Sequence, residues 1–239
     1  MYKFFGFIGT LFIVFNSFSQ QYNFINYSIE EGLAQSQIRA VNQDADGYLW
    51  IGTLGGLSKF DGINFENFST NKGLLHNQIN AIYSDSKGRT WLGTQGGVSV
   101  YEGGTFTNYE FEERLSQQFV LSIGEDSAGK IWLATGDGLV YFEQNKFYYL
   151  QLPSGEKNNY IRHIFVDIDN QKWLSTRGGV FIIDSELNVV DTIKNVNATQ
   201  VFIDENNTVW CSTFGEGVLQ LKKEGVHQLT TKQGLISNH

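Results

Sequence analysis

The chain of 239 residues contains a single cysteine, Cys211, so no disulfide can form within it. It also lacks any cluster of lysine and arginine, with 17 basic residues against 25 acidic ones and a formal net charge of −8. Binding to phosphate backbones requires grouped basic side chains, so nucleic acid is not an expected partner of this chain. The excess of acidic residues mainly favours solubility.

Motifs of catalysis and of metal or cofactor binding are absent from the sequence as well. There is no Gly-x-Ser-x-Gly nucleophile elbow and no Gly-Lys-Ser/Thr phosphate loop, and His76, His163 and His227 lack the spacing of metal ligands. The segments 44–47 and 167–170 superficially resemble calcium loops, but the further oxygen ligands and the later bidentate glutamate are missing. We therefore expect no catalytic residue, no metal and no cofactor in this chain.

Long apolar runs are confined to the N-terminus. Lys3 precedes an apolar run at residues 4–15, and the small residues Ser17 and Ser19 follow it. A membrane-spanning helix needs about 20 apolar residues, so the pattern predicts a secretory signal peptide, residues 1–19, with an uncleaved anchor as the alternative. No cysteine lies near the cleavage point, which argues against a lipoprotein. An exported chain without disulfides suits a bacterial periplasm.

Repetition is the strongest positive feature of the sequence. Tryptophans recur at intervals of 41, 41, 41 and 37 residues, and an aspartate stands six residues before each one. Three residues before each tryptophan stands a glycine or asparagine, which tolerates the positive φ that a tight turn requires, and three residues after it stands a threonine. The five units are Asp44, Gly47, Trp50 and Thr53; Asp85, Gly88, Trp91 and Thr94; Asp126, Gly129, Trp132 and Thr135; Asp167, Asn170, Trp173 and Thr176; and Asp204, Asn207, Trp210 and Thr213.

Each unit predicts four short antiparallel strands. Alternating apolar strands such as 57–60 and 98–101 follow the threonine and its glycines, and a fourth strand carries apolar residues three apart, such as Phe65 and Phe68. A period near 40 with these features predicts an all-β fold, a β-propeller of four-stranded antiparallel blades, whereas a helical solenoid is excluded because no sustained 3.6-residue periodicity occurs. Cys211 occupies a position where the other repeats have isoleucine or leucine, so we expect it in the core.

The repeat register also sets the expected blade boundaries within residues 20–239. Blades are predicted at about 33–69, 74–110, 115–151, 158–194 and 197–231, with the start of a sixth at 234. The segment 22–28 matches the fourth strand of the first blade at an offset of 41, so it is expected to be an orphan strand of a preceding blade. A closed five-bladed ring would leave this strand without a blade. The sequence therefore predicts five blades of an incomplete, open propeller that is part of a longer protein.

Two sets of segments resemble the two-component regulator propeller repeat. The blade signature Gln-Asp-Ala-Asp-Gly-Tyr-Leu-Trp-Ile-Gly-Thr-Leu-Gly-Gly-Leu occupies residues 43–57, and a close variant occupies residues 84–98. The segments between blades, Gly32–Ile38 and Gly73–Ile79, are similar to that family as well, and 234–239 begins another. The pattern weakens in the third to fifth repeats, where alanine or serine replaces the glycine two residues after the tryptophan.

The resemblance implies a sensor. In that family, propellers form the periplasmic region of hybrid receptors whose membrane helix precedes a histidine kinase or DNA-binding module. It implies that this chain senses a glycan or other small ligand in the periplasm for a two-component receptor anchored in the inner membrane, without being an enzyme itself. Its partners would be the ligand, the remaining blades and the downstream receptor modules, and a homodimer of the full-length receptor is compatible with it. A secreted propeller lyase or hydrolase and a non-signalling binding scaffold are the alternatives.

Candidate ligand contacts lie on one face of the predicted propeller. The loops between blades and the loops after each threonine share that face, and recognition residues concentrate on loops held by a rigid scaffold. Arg39 and Arg162, at equivalent positions of the innermost strands, would offer planar forks to a carboxylate or sulfate unless they are solvated or paired with an acidic neighbour. The candidate ligand-binding residues are Arg39, His76, Asn77, Gln95, Asp137, Arg162, Arg177 and Glu216.

Overall fold

The computed structural model describes residues 24–111, 119–150, 152, 159–222 and 225–238, and the predicted signal peptide lies outside these ranges. The described chain forms five four-stranded antiparallel sheets, each with its strands in sequence order. Two short 3-10 helices, Thr70–Lys72 and Thr231–Gln233, follow the first and fifth sheets. The strands are, in the first sheet, β1 (Ile38–Gln43), β2 (Leu49–Thr53), β3 (Leu57–Phe60) and β4 (Phe65–Phe68); in the second, β5 (Ala81–Ser84), β6 (Thr90–Gly93), β7 (Gly97–Glu102) and β8 (Thr105–Glu110); in the third, β9 (Val120–Glu125), β10 (Ile131–Thr135), β11 (Gly138–Glu143) and β12 (Lys146–Leu150); in the fourth, β13 (Ile161–Val166), β14 (Lys172–Thr176), β15 (Gly179–Ile183) and β16 (Val189–Lys194); and in the fifth, β17 (Ala198–Ile203), β18 (Val209–Thr213), β19 (Val218–Lys222) and β20 (Gly225–Leu229).

The five sheets are propeller blades arranged as an open arc, which confirms the predicted fold class. Their first strands are neighbours in chain order, from β1 through β5, β9 and β13 to β17. The same position of the first strand shows the opening: Val41 on β1 is 58% exposed, whereas its equivalents Ile123, Ile164 and Val201 are 8%, 3% and 1% exposed. The blade face that carries Val41 is therefore less covered by described residues than the equivalent faces of the third, fourth and fifth blades.

Each aspartate joins the turn between the first two strands to the tryptophan of the second strand. In the second blade, Asp85 Oδ1 accepts the backbone N–H groups of Lys87 and Arg89, while Oδ2 accepts the Trp91 indole N–H at 2.7 Å. Gly88 takes a φ of 79°, as the tight turn requires. The indole bond recurs in all five blades at 2.7–2.9 Å. One carboxylate thus holds both a turn and the largest side chain of its blade.

Each threonine closes the loop between the second and third strands. Its hydroxyl donates to the carbonyl oxygen of the glycine that opens the third strand, as Thr94 does to Gly97 at 3.0 Å. Gly97 has a φ of 145°, and a Cβ atom there would overlap the Tyr109 carbonyl oxygen. The fifth blade keeps the bond with one extra residue in the loop, from Thr213 to Gly217 at 2.8 Å. A glycine is required here because the fourth strand passes too closely for any side chain.

The hydrophobic core lies between consecutive blades. Four clusters of buried side chains each join one blade to the next, and in one of them Trp132 of the third blade packs with Ile161, Ile164 and Leu174 of the fourth. Cys211 is 1% exposed and lies in the cluster between the fourth and fifth blades, as predicted. Burial raises the pKa of its thiol to about 11, so it is an inert core side chain at neutral pH.

A lysine is buried between the third and fourth blades. The Lys172 side chain is 1% exposed, and its Nζ lies 3.9 Å from Asp126 Oδ2 and donates to the Asn170 carbonyl oxygen at 2.9 Å. The ammonium group also lies 4.9 Å from the Trp132 ring centroid. Burial lowers its pKa, and these contacts supply the compensation that a buried charge needs.

The last aromatic side chain of an outer strand reaches the following blade. Phe68, at the end of β4, lies with its ring centroid 5.9 Å from Tyr101 and 5.2 Å from Phe106, both in the second blade. Trp50 joins the same group at 4.9 Å from Tyr101. Aromatic pairs at these separations add to the stabilisation that apolar burial provides, so the outer part of one blade also braces the next.

Tyr27 makes the same kind of contact with the first blade. Its ring centroid lies 5.0 Å from Phe60 and 5.6 Å from Phe65, the residues equivalent to the two that Phe68 contacts. In the segment expected to be an orphan strand, residues 24–28 are described and form no β-ladder. Their tyrosine nevertheless occupies the place that the outer strand of a preceding blade would occupy.

Among the described residues, the structure contains no helix whose length and apolarity would let it cross a membrane.

Replacing Asp85 by alanine is expected to lower the free energy of unfolding by about 3 kcal/mol, because it leaves the buried Trp91 indole and two turn N–H groups without an acceptor. Urea denaturation measures the loss. Asp46→Ala is the matched control, since Asp46 is an exposed turn residue, and it should change the value by less than about 0.5 kcal/mol. Equal effects of the two substitutions would contradict the role assigned to the indole bond.

The same carboxylate gives a pH dependence. Burial alone would raise the pKa of Asp85, but hydrogen bonds from Trp91 and Arg89 outweigh it and lower the pKa below its usual value. The stability that ionised Asp85 contributes is therefore complete above the pKa of an unfolded aspartate, about 3.9, and is lost as the pH falls through the lower folded-state value. Acid titration of the unfolding free energy should be shallower in this window for Asp85→Asn than for the parent protein.

Candidate functional site

The two ends of the innermost strands carry different kinds of residue. In the fourth blade, Ile161 at the start of β13 pairs with Thr176, and Val166 at its end pairs with Lys172. The aspartate turn therefore lies at one end of the strand and the loop after the threonine lies at the other, roughly 17 Å away along six extended residues. We call the second end the loop face. It includes the residues at or just before the start of the innermost strands, which are 37–39, 78–80, 119–121, 160–162 and 197–199.

A β-bulge marks the loop face of the innermost strands. The pairing of β1, β9, β13 and β17 with their second strands skips one residue near the start of each strand. A bulge bends the strand and turns the extra side chain away from its regular direction. The extra residues are Arg39, Leu121, Arg162 and Thr199, and they include the two arginines that the sequence places at equivalent positions of the innermost strands.

Two of the candidate arginines come together around one aromatic ring. The guanidinium carbon of Arg177 lies 4.6 Å from the Tyr160 ring centroid, and that of Arg162 lies 5.9 Å from the same centroid. Arg162 is partly buried and its Nη1 donates to Asn197 Oδ1 at 2.6 Å and to the Ala198 carbonyl oxygen at 2.8 Å. Arg177, in the loop after Thr176, is exposed. We call Tyr160, Arg162 and Arg177 the arginine cluster.

The neighbours of the arginine cluster come from the adjacent blades. Phe119 of the third blade lies with its ring centroid 6.1 Å from Tyr160, in an edge-to-face arrangement. Phe119, Tyr160 and Asn197 occupy one and the same repeat position, two residues before the bulge, where the first two blades have Gln37 and Gln78. The replacement of glutamine by aromatic residues in the middle blades is the sequence signal that points to this place, and it was not among the predicted site residues.

The charges of the two arginines act on each other. Partial burial lowers the pKa of Arg162, and the positive charge of Arg177 lowers it further. Within the described ranges, neither arginine forms an ion pair with a carboxylate. The arrangement leaves two positive charges close together on a partly apolar surface, which is the electrostatic setting of an anion-binding site.

The other predicted site residues lie apart from this cluster, each in a different loop or strand. Arg39 is exposed and makes no hydrogen bond or ion pair with the described part of the chain, and it is Arg177 rather than Arg39 whose charge acts on Arg162. The Asn77 side chain is hydrogen-bonded to the backbone, because its Oδ1 accepts the Thr70 N–H at 2.8 Å. His76 is exposed and lies over Gly96.

Three loop residues complete the set. Gln95 and Glu216 are exposed, and Asp137 is half-buried. The backbone N–H groups of Asp137 and Glu216 donate to the threonine hydroxyls of their loops, at 3.2 and 3.0 Å. These bonds fix the backbone that carries Asp137 and Glu216.

His163 stands next to Arg162 on β13. Its Nδ1 atom is buried without a hydrogen-bond partner among the described residues, and so is the hydroxyl of Ser175, which faces it across the β13–β14 ladder. Burial lowers the pKa of His163 to about 4, so the ring is neutral at physiological pH. The neutral ring adds no charge to the arginine cluster.

A cavity lies on the opposite, turn face. It has a volume of about 550 Å³ and is bordered by Phe165, Asp167, Ile168 and Asp204, between the fourth and fifth blades. Asp167 and Asp204 already accept the indole N–H groups of Trp173 and Trp210. Because these carboxylates are committed to the blades, the loop face is the stronger candidate for ligand recognition. No grouping of histidine, cysteine, aspartate or glutamate in the described part of the chain is arranged to hold a metal ion.

Comparison with known proteins identifies the repeats. The two component regulator propeller family matches residues 32–55, 73–96 and 114–137, which are equivalent segments of the first three repeats. Three of the five repeats therefore match the model of this family. A search of curated proteins gave no match.

Solved structures share the fold. The extracellular domain of a hybrid two component system from B. thetaiotaomicron is 25% identical over 87% of this chain, with a TM-score of 0.71, and this chain covers 30% of its length. PorZ, a surface component of the type-IX secretion system of Porphyromonas gingivalis, is 18% identical over 85% of this chain, with a TM-score of 0.67 and 35% of its own length covered. Virginiamycin B lyase from Staphylococcus aureus is 14% identical over 81% of this chain, with a TM-score of 0.67 and 69% of its length covered. The last two likenesses concern the fold alone.

His163 should make the stability of the protein depend on pH. Its pKa is about 4 in the folded chain and about 6.5 when unfolded, so between these values the unfolded state binds the extra proton. The free energy of unfolding should therefore fall as the pH is lowered from 6.5 to 4, by up to about 3 kcal/mol from this residue. Chemical denaturation across this range measures the slope.

Alanine is the natural replacement in this test, because Ala40 and Ala81 occupy the same position in the first two blades. His163→Ala should flatten the slope between pH 6.5 and 4, whereas His227→Ala, which removes an exposed histidine of β20, should leave it unchanged. Identical slopes for His163→Ala and the parent protein would show that the ring is not held neutral by the fold.

Proposed function

Because three of its repeats match the two component regulator propeller family, we propose that this chain is a ligand-sensing propeller from the extracytoplasmic region of a two-component signalling receptor. The ligand is a glycan or another small molecule, and binding is relayed to a kinase or transcriptional output module of the same protein. The proposal is supported by the family match together with the likeness to the extracellular domain of a hybrid two component system. The chain spans 30% of the length of that domain, so further modules belong to the proposed receptor.

The observation that carries the sensing role is that one end of each blade holds recurring structural residues and the other end holds residues that vary. At the turn face, every aspartate is committed to the same indole and turn bonds. At the loop face, the residues differ from blade to blade while the threonine–glycine bond holds each loop in place. Varied side chains on rigid loops are the arrangement by which scaffolds recognise ligands.

The proposed location is the periplasm. It is supported by the signal-peptide pattern of residues 1–19, by the single cysteine, and by the likeness to an extracellular domain. Anchoring in the inner membrane belongs to the proposed full-length receptor.

The remaining blades of the receptor are proposed partners of the two exposed blade faces. Val41 at one end of the arc is 58% exposed, and at the other end Phe202, Phe214 and Val226 are 57%, 61% and 61% exposed. In the interior of the arc, equivalent faces are covered by the next blade. Apolar faces of this kind are typical of surfaces that another element of the same fold covers.

The sensing role is tested in the full-length receptor. A transcriptional reporter or an autophosphorylation assay should lose its response to the inducing glycan when both Arg162 and Arg177 are replaced by glutamine, while the amount of receptor in the membrane stays the same. A receptor that lacks the five blades and still responds to the inducer would overturn the proposal.

Packing of further blades predicts a local change in hydrogen exchange. In a receptor fragment that includes the neighbouring blades, backbone amides of β1 and β17 should exchange more slowly than in this chain, because their faces become buried. Amides of β9, whose side chains are already mostly buried, serve as the internal control and should not change. Unchanged exchange at both β1 and β17 would contradict the proposed packing.

A further inference from the structure

We infer that the arginine cluster is a binding site for an anionic group, a carboxylate or a sulfate ester carried by a small ring-shaped ligand such as a sugar. This inference rests on the proposed sensing function and names the chemical class of its ligand. Three observations support the inference: N–H donors of both arginines that no described residue uses, the repulsion between the two positive charges, and the aromatic surface beside them.

The free donors of Arg162 have the geometry of a carboxylate fork. Its Nη1 donates to Asn197 and to Ala198, while Nε and Nη2 have no acceptor in the described part of the chain. A guanidinium presents its N–H groups in one plane, and the Nε–Nη2 edge pairs side-on with two oxygens of a carboxylate or sulfate. The two bonds to the fifth blade fix the plane of the guanidinium, so this edge is oriented before any ligand arrives.

Arg177 is held near the same place by an aromatic ring rather than by hydrogen bonds. It forms no hydrogen bond or ion pair with the described residues, and its guanidinium carbon lies 4.6 Å from the Tyr160 ring centroid. A cation over an aromatic face is attracted to it, so an otherwise mobile surface arginine keeps a defined position. None of its N–H donors is used by a described residue, and an anion beside Tyr160 would accept from them.

Within the described ranges, no carboxylate forms an ion pair with either arginine of the cluster. Arg162 is partly desolvated and repelled by Arg177. A bound anion would relieve this repulsion, and a positive charge that is partly removed from water attracts an anion more strongly than a fully solvated one does.

The surroundings favour a ligand with an apolar or ring-shaped body. Phe119 and Tyr160 are both half-buried and lie edge to face, so they expose part of an aromatic surface beside the two guanidinium groups. Aromatic side chains bury the apolar face of a ring while charged groups orient its substituents. A free inorganic anion would use the arginines without this surface.

The chain provides its own comparison site. Arg39 occupies the same bulge position in the first blade, but two residues before it stands Gln37 instead of an aromatic residue, and the loop after Thr53 begins with Leu54 instead of an arginine. Arg39 is therefore a lone exposed guanidinium on the same scaffold. If single bulge arginines sufficed for binding, the two positions would behave alike.

The test is the binding of three matched sugars to the purified chain: glucose, glucuronate, and glucose with a sulfate ester at the primary hydroxyl. Isothermal titration calorimetry at millimolar sugar and low salt should show saturable binding of glucuronate or of the sulfated sugar, weakening as sodium chloride is added. Binding of glucuronate alone would identify a carboxylate ligand, and binding of the sulfated sugar alone would identify a sulfate ligand. Titration with sodium sulfate and sodium acetate separates recognition of the free anion from recognition of the sugar that carries it.

Variants locate the site. Arg177→Gln should weaken binding by at least about tenfold, because it removes charge-assisted hydrogen bonds. It leaves the bonds of Arg162 to the fifth blade in place, so folding should be intact by circular dichroism. Arg162→Gln should weaken binding similarly, and Arg177→Lys should restore only part of it, since a lysine lacks the planar fork. Arg39→Gln is the matched control and should bind like the parent protein.

Three results would overturn the inference: binding of neither anionic sugar in the millimolar range, unchanged binding by Arg177→Gln, or equal weakening by Arg39→Gln and Arg177→Gln, which would show a general effect of surface charge. None of these results would contradict the sensing function, which fails instead if a receptor without the five blades still responds to its inducer.

Discussion

A hydrogen bond between an aspartate carboxylate and a tryptophan indole recurs in every blade, and the rest of the architecture depends on it. The bond fixes the turn at one end of the first two strands and, at the same time, the orientation of the indole that packs against the next blade. Buried indole N–H groups need an acceptor, and a carboxylate that also accepts backbone N–H groups is held rigidly enough to provide one. Blade geometry and blade-to-blade packing therefore share one set of atoms.

This arrangement separates stability from recognition. The turn face carries the bonds that hold each blade, so its aspartate recurs in every blade, followed three residues later by glycine or asparagine. The loop face is held by the threonine–glycine bond, which leaves the neighbouring side chains unconstrained. Glutamine at position 37 or 78 and an aromatic residue at position 119 or 160 thus fit the same scaffold. A binding surface can be built from single substitutions without loss of the blade.

The sequence predicts the blades because their determinants are local and repeated. The spacing from Asp85 to Trp91 predicts the turn, the buried position of Cys211 follows from its register, and the open arc follows from the match between 22–28 and a fourth strand. The arginine cluster was harder to predict, because it depends on strand register within the fourth blade and on contacts with the adjacent blades. Arg162 and Arg177 were both candidates, and they approach Tyr160 because Ile161 pairs with Thr176 beside a bulge. The spacing of the repeats does not specify that bulge, nor the contacts with Phe119 and Asn197 of the neighbouring blades. Lys172 illustrates the same limit, since its position predicts an apolar side chain and only the neighbouring blade supplies its carboxylate and indole.

The contacts of Tyr27 and Phe68 bear on how the blade at the end of the arc is covered. Phe68 lies on the outer strand of the first blade and Tyr27 lies at the equivalent repeat position. Each ring covers side chains of the repeat that follows it, so the boundary of a repeat in sequence does not coincide with a boundary in packing. A blade at the end of an arc therefore needs an aromatic ring from outside itself to cover its outer strands. In the first blade Tyr27 supplies that ring over Phe60 and Phe65, although its segment forms no β-ladder. The outer strands of a terminal blade can thus stay covered by one side chain of the adjoining segment.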